Sequence, residues 1–144
     1  MTYSVIETEI FMRRYPNFTW DELKCPCGEC VGVPIHKPEF IAFMDALQVA
    51  RTNLAFPFHM TSVYRCPAYN DALYVKNGLG KPGEHRNGPH TKGAGDLLVS
   101  FERMYALIKF ATRHDMGIGI KQHGPVDGRY IHLDNLGARL WSYS

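Results

Sequence analysis

The segment "HKPEFIAFMDALQVARTNL", residues 36–54, does most to constrain the fold, because its apolar residues recur at helical spacing. Phe40, Phe43, Met44, Leu47 and Ala50 fall three or four apart on one stripe, and Pro38 suits a first turn, where the missing N–H is no loss. A helix over 38–53 therefore forms the scaffold of a core, and neighbouring segments have to cover its stripe. The period then changes. "FPFHMTSVY", residues 56–64, is aromatic and β-branched and predicts a strand that delivers Tyr64 and Arg65 to its end. Pro67 opens a short helix that Gly78 closes, and residues 79–93, rich in glycine with Pro82 and Pro89, form a long loop of the kind that usually carries function. "AGDLLVS" reads as a strand, Ser100 as the cap of a helix over 101–114, and "MGIGIKQ" and "RYIHLDNL" as strands joined by "HGPVDG". Helices and strands are interspersed and the last turns are short, so the class is α+β with a small, largely antiparallel sheet.

A chain of 144 residues is expected to form a single domain over 1–144. With 16 basic against 14 acidic residues, intermixed and giving a net charge of +2, nothing recommends nucleic acid as a partner. No apolar run approaches the ~20 residues of a spanning helix, which excludes membrane insertion by that route. The start, "MTYSVIETEIFMRRYPNF", has no basic stretch followed by an apolar core, so synthesis in the cytoplasm without a signal peptide is the expectation. Three of the four cysteines, Cys25, Cys27 and Cys30, lie in "CPCGEC", and Cys66 is the fourth. They could chelate a metal, remain reduced thiols, or pair in a disulfide in an oxidising compartment.

Two histidines stand out by their company. His132 and Asp134 are two apart in an expected strand and so project from one face. His90 precedes a glycine-rich turn and Asp96 opens the strand after it, so a tight turn can bring the two together. Two histidines and one aspartate make a three-ligand zinc site with one position left for water, the arrangement of a catalytic rather than a structural zinc. Each residue also has an ordinary alternative, a solvated loop histidine or a turn aspartate.

The order "NFTWDELKC", "LQVARTNL", "TSVYRCPAYN", "HTKGAGD", "GIGI" and "YIHLDN", spanning residues 17–135, resembles the M15 family of zinc peptidases, in its D-alanyl-D-alanine carboxypeptidase and phage L-alanyl-D-glutamate endolysin branch. The resemblance implies a compact hedgehog/DD-peptidase-like fold and Zn2+-dependent hydrolysis of an amide bond in peptidoglycan stem peptides at the bacterial cell wall. It further implies a monomer, and a bacteriophage or virion-associated origin fits the missing signal. Carried over, His90, Asp96 and His132 are the zinc ligands and Arg65 the cation facing the substrate carbonyl or carboxylate. Ser62, Tyr64, Asn70 and Tyr130 are substrate-binding or support that corner. Two departures stand out: Asp96 follows His90 by six residues where the family has seven, and Gly88 replaces a serine. Arg129 also occupies the place where many relatives carry an acid, so the general base must come from elsewhere. Asp134 is the first candidate, with an alternative role in orienting His132, and Asp127 the second; His123, Glu84 and His85 are loop residues that could close over the site. The rival is a zinc-stabilised module that binds cell wall or builds a virion without catalysis.

Overall fold

A computed structural model describes residues 2–144. Among these, α1 spans Val5–Arg14, α2 Trp20–Leu23, α3 Pro38–Leu54, β1 His59–Ser62, α4 Pro67–Lys76, β2 Ala94–Leu98, α5 Phe101–Arg113, β3 Gly117–Lys121, β4 Tyr130–Asp134 and β5 Arg139–Ser142. Single 3-10 turns at Pro89–Thr91 and Val126–Gly128 precede β2 and β4. The fold is α+β. Its sheet is open, ordered β1-β2-β4-β3-β5, and antiparallel except where β5 runs parallel to β3.

The α3 stripe is buried as its spacing predicts: Phe40, Phe43, Met44, Leu47 and Ala50 all face the core. Burying each of the larger side chains contributes about 1.5–3 kcal/mol. α5 repeats the pattern with Met104, Leu107, Phe110 and Ala111. Leu97, Ile118, Ile131 and Leu133 form the sheet face that joins these helices in one apolar cluster. Gly95 lets α3 come close, since a Cβ there would fall 2.7 Å from the Met60 Cε and 3.2 Å from the Phe43 ring. Neither Gly93 nor Gly95 has a positive φ, so their value lies in space and not in backbone freedom.

Several elements differ from the sequence reading. β1 is confined to four residues, because Phe56 and Phe58 pack beside the sheet rather than in it. Ser100 occupies the N-cap position of α5, but its side chain makes no cap hydrogen bond. α1, α2 and β5 were not anticipated. α1 is started by a capping box in which the Glu7 N–H donates to Ser4 Oγ at 3.1 Å and the Ser4 N–H to Glu7 Oε2 at 2.8 Å. It buries only Phe11, leaving Val5, Ile6 and Ile10 exposed, so it lacks a readable stripe.

Candidate metal centre

The sheet face turned away from α3 and α5 carries a row of paired residues across all five strands. Ser62 pairs with Asp96, Asp96 with His132, His132 with Gly119, and Gly119 with Trp141. A bulge in β1 between Met60 and Ser62 turns Ser62 onto this row, although Met60, two residues earlier, faces the core. The short turn after Gly93 therefore still delivers its carboxylate, because Asp96 lies directly opposite His132 in the ladder.

His90 reaches the row from the 3-10 turn at Pro89–Thr91. Two hydrogen bonds strap that turn to the end of β1: the Arg65 N–H donates to the His90 carbonyl at 2.9 Å, and His90 Nδ1–H to the Val63 carbonyl at 2.7 Å. The second bond fixes the tautomer, so the lone pair on Nε2 points inward, 3.4 Å from Asp96 Oδ2. His132 is held in the opposite sense. Its Nε2 lies 2.9 Å from Asp134 Oδ2, and its Nδ1 lies 3.0 Å from Asp96 Oδ1. Asp134 is fully buried and is further engaged by Arg139 Nη2 at 2.7 Å and the Leu136 N–H at 3.1 Å.

One ligand atom each from His90, Asp96 and His132 thus lies within 4.8 Å of the others. Burial opposes charge on Asp96, yet the hydrogen bond from His132, with the His90 ring close by, holds its carboxyl well below the usual carboxylate range. Burial likewise opposes an imidazolium at His132, but Asp134 and Asp96 together raise its pKa. A ring with a carboxylate on either side needs a second positive element between Nδ1 and Asp96, a proton or a metal cation. Two imidazoles and one carboxylate, each imidazole fixed from behind by an oxygen acceptor, match the donor set and the outer hydrogen bonds of a zinc site.

The triad opens into a cavity of about 300 Å³ lined by Arg65, Tyr74, Pro89, His90, Asp96, Tyr130, His132, Trp141 and Tyr143. Arg65 Nη2 stands 3.9 Å from Asp96 Oδ2, with Nε–H donating to Ser62 Oγ at 3.0 Å and Nη1–H to Asn70 Oδ1 at 3.3 Å. The Asn70 amide in turn donates to the His85 carbonyl at 2.7 Å.

Of the residues singled out in sequence, the structure brings together His90, Asp96, His132, Arg65 and Tyr130. Ser62 and Asn70 stand behind Arg65 and hold its guanidinium. Tyr64 is buried in the core, edge-on to Phe40 at 6.0 Å, and does not line the cavity. Asp134, the first choice as general base, sits behind the His132 ring, so the geometry is that of the alternative, an orienting acceptor. Asp127 lines a different cavity with Phe56, Pro57, His59 and Arg103. Glu84 accepts from the Lys81 N–H, His123 faces the Tyr143 carbonyl, and His85 stacks on Tyr74 with ring centroids 4.0 Å apart. Tyr74, Trp141 and Tyr143 were missed. The alternation of Trp141 and Tyr143 in "RLWSYS" was the available signal for a strand with an aromatic face. No family model matches the chain, and neither does any curated protein or solved structure.

Proposed function

We propose that the protein is a zinc-dependent hydrolase acting on an amide bond of peptidoglycan stem peptides, of the D-Ala-D-Ala carboxypeptidase or L-Ala-D-Glu endopeptidase type, on a hedgehog/DD-peptidase-like fold. The observation that carries this reading is the convergence of His90 Nε2, His132 Nδ1 and the Asp96 carboxylate at the floor of an open cavity beside a guanidinium. His90, Asp96 and His132 would hold the metal. When bound, zinc supplies Lewis acidity that acidifies water and polarises an amide carbonyl. Arg65, pinned by Ser62 and Asn70, offers a fixed positive charge to the oxyanion that develops on that carbonyl, or to a terminal carboxylate. Asp134 keeps His132 in one tautomer and one orientation. Tyr130, Tyr74, Trp141 and Tyr143 give the walls aromatic area and hydroxyl groups with which to hold a peptide. The ordered motif resemblance supports the substrate class, with action at the bacterial cell wall as a monomeric phage lysin or virion component.

One observation favours a second reading. Asp96 is the only carboxylate among the residues lining the cavity, so a zinc-stabilised module without turnover fits the same walls. Digestion of purified muropeptides followed by mass spectrometry separates the two. The hydrolase reading expects loss of a terminal D-alanine or scission after L-alanine, abolished by chelator and restored by zinc. Zinc held by the triad with no product from any muropeptide would establish the module.

A further inference from the structure

We propose that Cys25, Cys27, Cys30 and Cys66 form a second, closed zinc site, structural in role, which fastens the 25–30 loop to the corner that carries Arg65. The four sulfurs lie within 4.8 Å of one another. Cys66 Sγ is 3.9 Å from Cys27 Sγ. A zinc tetrathiolate with bonds of about 2.3 Å has its sulfurs about 3.8 Å apart, whereas a disulfide needs about 2.05 Å. All four cysteines are free thiols in the structure.

The backbone supplies an independent observation. Each sulfur accepts one main-chain N–H: Cys25 from Cys66 at 3.3 Å, Cys27 from Glu29 at 3.3 Å, Cys30 from Gly32 at 3.4 Å and Cys66 from Tyr69 at 3.4 Å. Four neutral thiols in apolar packing would have no need of four donors. Four thiolates sharing one dication carry a net charge of −2, and N–H donors directed at the sulfurs spread that charge. Gly28 and Gly32, with φ of +74° and +82°, give the loop the turns that aim the Glu29 and Gly32 amides inward. Loading Zn2+ displaces the four thiol protons to solvent and leaves no coordination position for water, which separates this site from the triad.

The placement gives the site a task. Cys66 is the N-cap of α4, adjacent to Arg65, and α4 carries Asn70, Asp71 and Tyr74. The Tyr64 N–H donates to the Leu23 carbonyl at 3.1 Å, and the Cys25 N–H to the Gly32 carbonyl at 2.9 Å, so the metal would close an existing seam between the N-terminal segment and the end of β1.

The test is elemental analysis of the full chain, purified under reducing conditions, beside a His90→Ala/His132→Ala variant. The variant is expected to retain one zinc per chain whether or not the triad is a zinc site, and Cys27→Ser/Cys66→Ser to lose it. To keep the test independent of whether the cysteine variant folds, Co2+ is also loaded into the histidine variant. Intense thiolate-to-cobalt charge-transfer absorption supports the site. A folded histidine variant without metal, an intact mass short by the two hydrogens of a disulfide, or iron in place of zinc would each overturn it.

Discussion

Arg65 is fastened on two sides, to Ser62 through Nε and to Asn70 through Nη1, and this preorganisation would let it act on a developing oxyanion without first being ordered. Under the hydrolase reading proposed above, Arg65→Ala is expected to lower kcat by about 10²–10³-fold while zinc content stays unchanged, as steady-state kinetics and elemental analysis would show. Asp134→Asn should act differently, because its carboxylate binds His132 and Arg139 and does not line the cavity. Zinc affinity measured by chelator competition should weaken about 10–100-fold, with activity recovered at high zinc. The sequence made the three candidate ligands legible, since each sits beside a turn or in an alternating strand. It left Asp134 ambiguous, because sharing a face with His132 does not say which side of the ring the carboxylate occupies. Tyr64, expected at the end of the strand beside Arg65, instead lies beyond β1 with its ring in the core.

The strands and loop around the centre depend on close approach and on one buried carboxylate. In β3, a Cβ on Gly117 would fall on the Asp134 carboxylate, and one on Gly119 would come 2.6 Å from the Trp141 ring. Gly117→Ala should therefore destabilise by about 1–3 kcal/mol and displace the acceptor behind His132, lowering zinc affinity in the same preparation. Gly119→Ala should push Trp141 aside, read as a shift in its fluorescence. The loop after α4 hangs on Asp71, whose oxygens accept the Gly83 N–H at 2.8 Å and the His85 N–H at 2.9 Å. Those backbone bonds lower the Asp71 pKa. A lowered folded pKa means the carboxylate's contribution is complete above its unfolded pKa, near 3.9, and disappears as pH falls through the folded value. The Gly83 and His85 amide signals should accordingly hold steady from neutral pH into mild acid and shift only below that range. In Asp71→Asn they should already be displaced at neutral pH. Loop 79–93 was legible as a working segment from its glycines and prolines, but its anchor was not, since Asp71 lies in the preceding helix. β5 escaped notice because it is only four residues long and its two apolar residues, Leu140 and Trp141, are adjacent rather than alternating.

Across the whole molecule the sheet keeps its two duties on opposite faces. Leu97, Ile118, Ile131 and Leu133 serve the core, while Asp96, His132 and Trp141 serve the cavity. The helical periodicity of α3 pointed to the first duty in the sequence, and the His-x-Asp alternation of β4 pointed to the second. What could not be read was the strand order that places β4 between β2 and β3 and so centres His132 in the row. This division makes stability and metal binding separable. Leu107 on α5 is completely buried in the cluster, on the side of the sheet away from the triad. Leu107→Ala removes apolar contact and leaves a cavity, which should cost about 2–5 kcal/mol. For a chain of this size that lowers Tm by roughly 4–20 °C, at about 2–4 °C per kcal/mol. Below the new transition the folded fraction should bind zinc with unchanged affinity, because no ligand or hydrogen-bond acceptor of the centre rests on α5. Calorimetry paired with chelator competition reads both quantities from one sample, and a fall in affinity alongside Tm would mean that the faces are mechanically coupled.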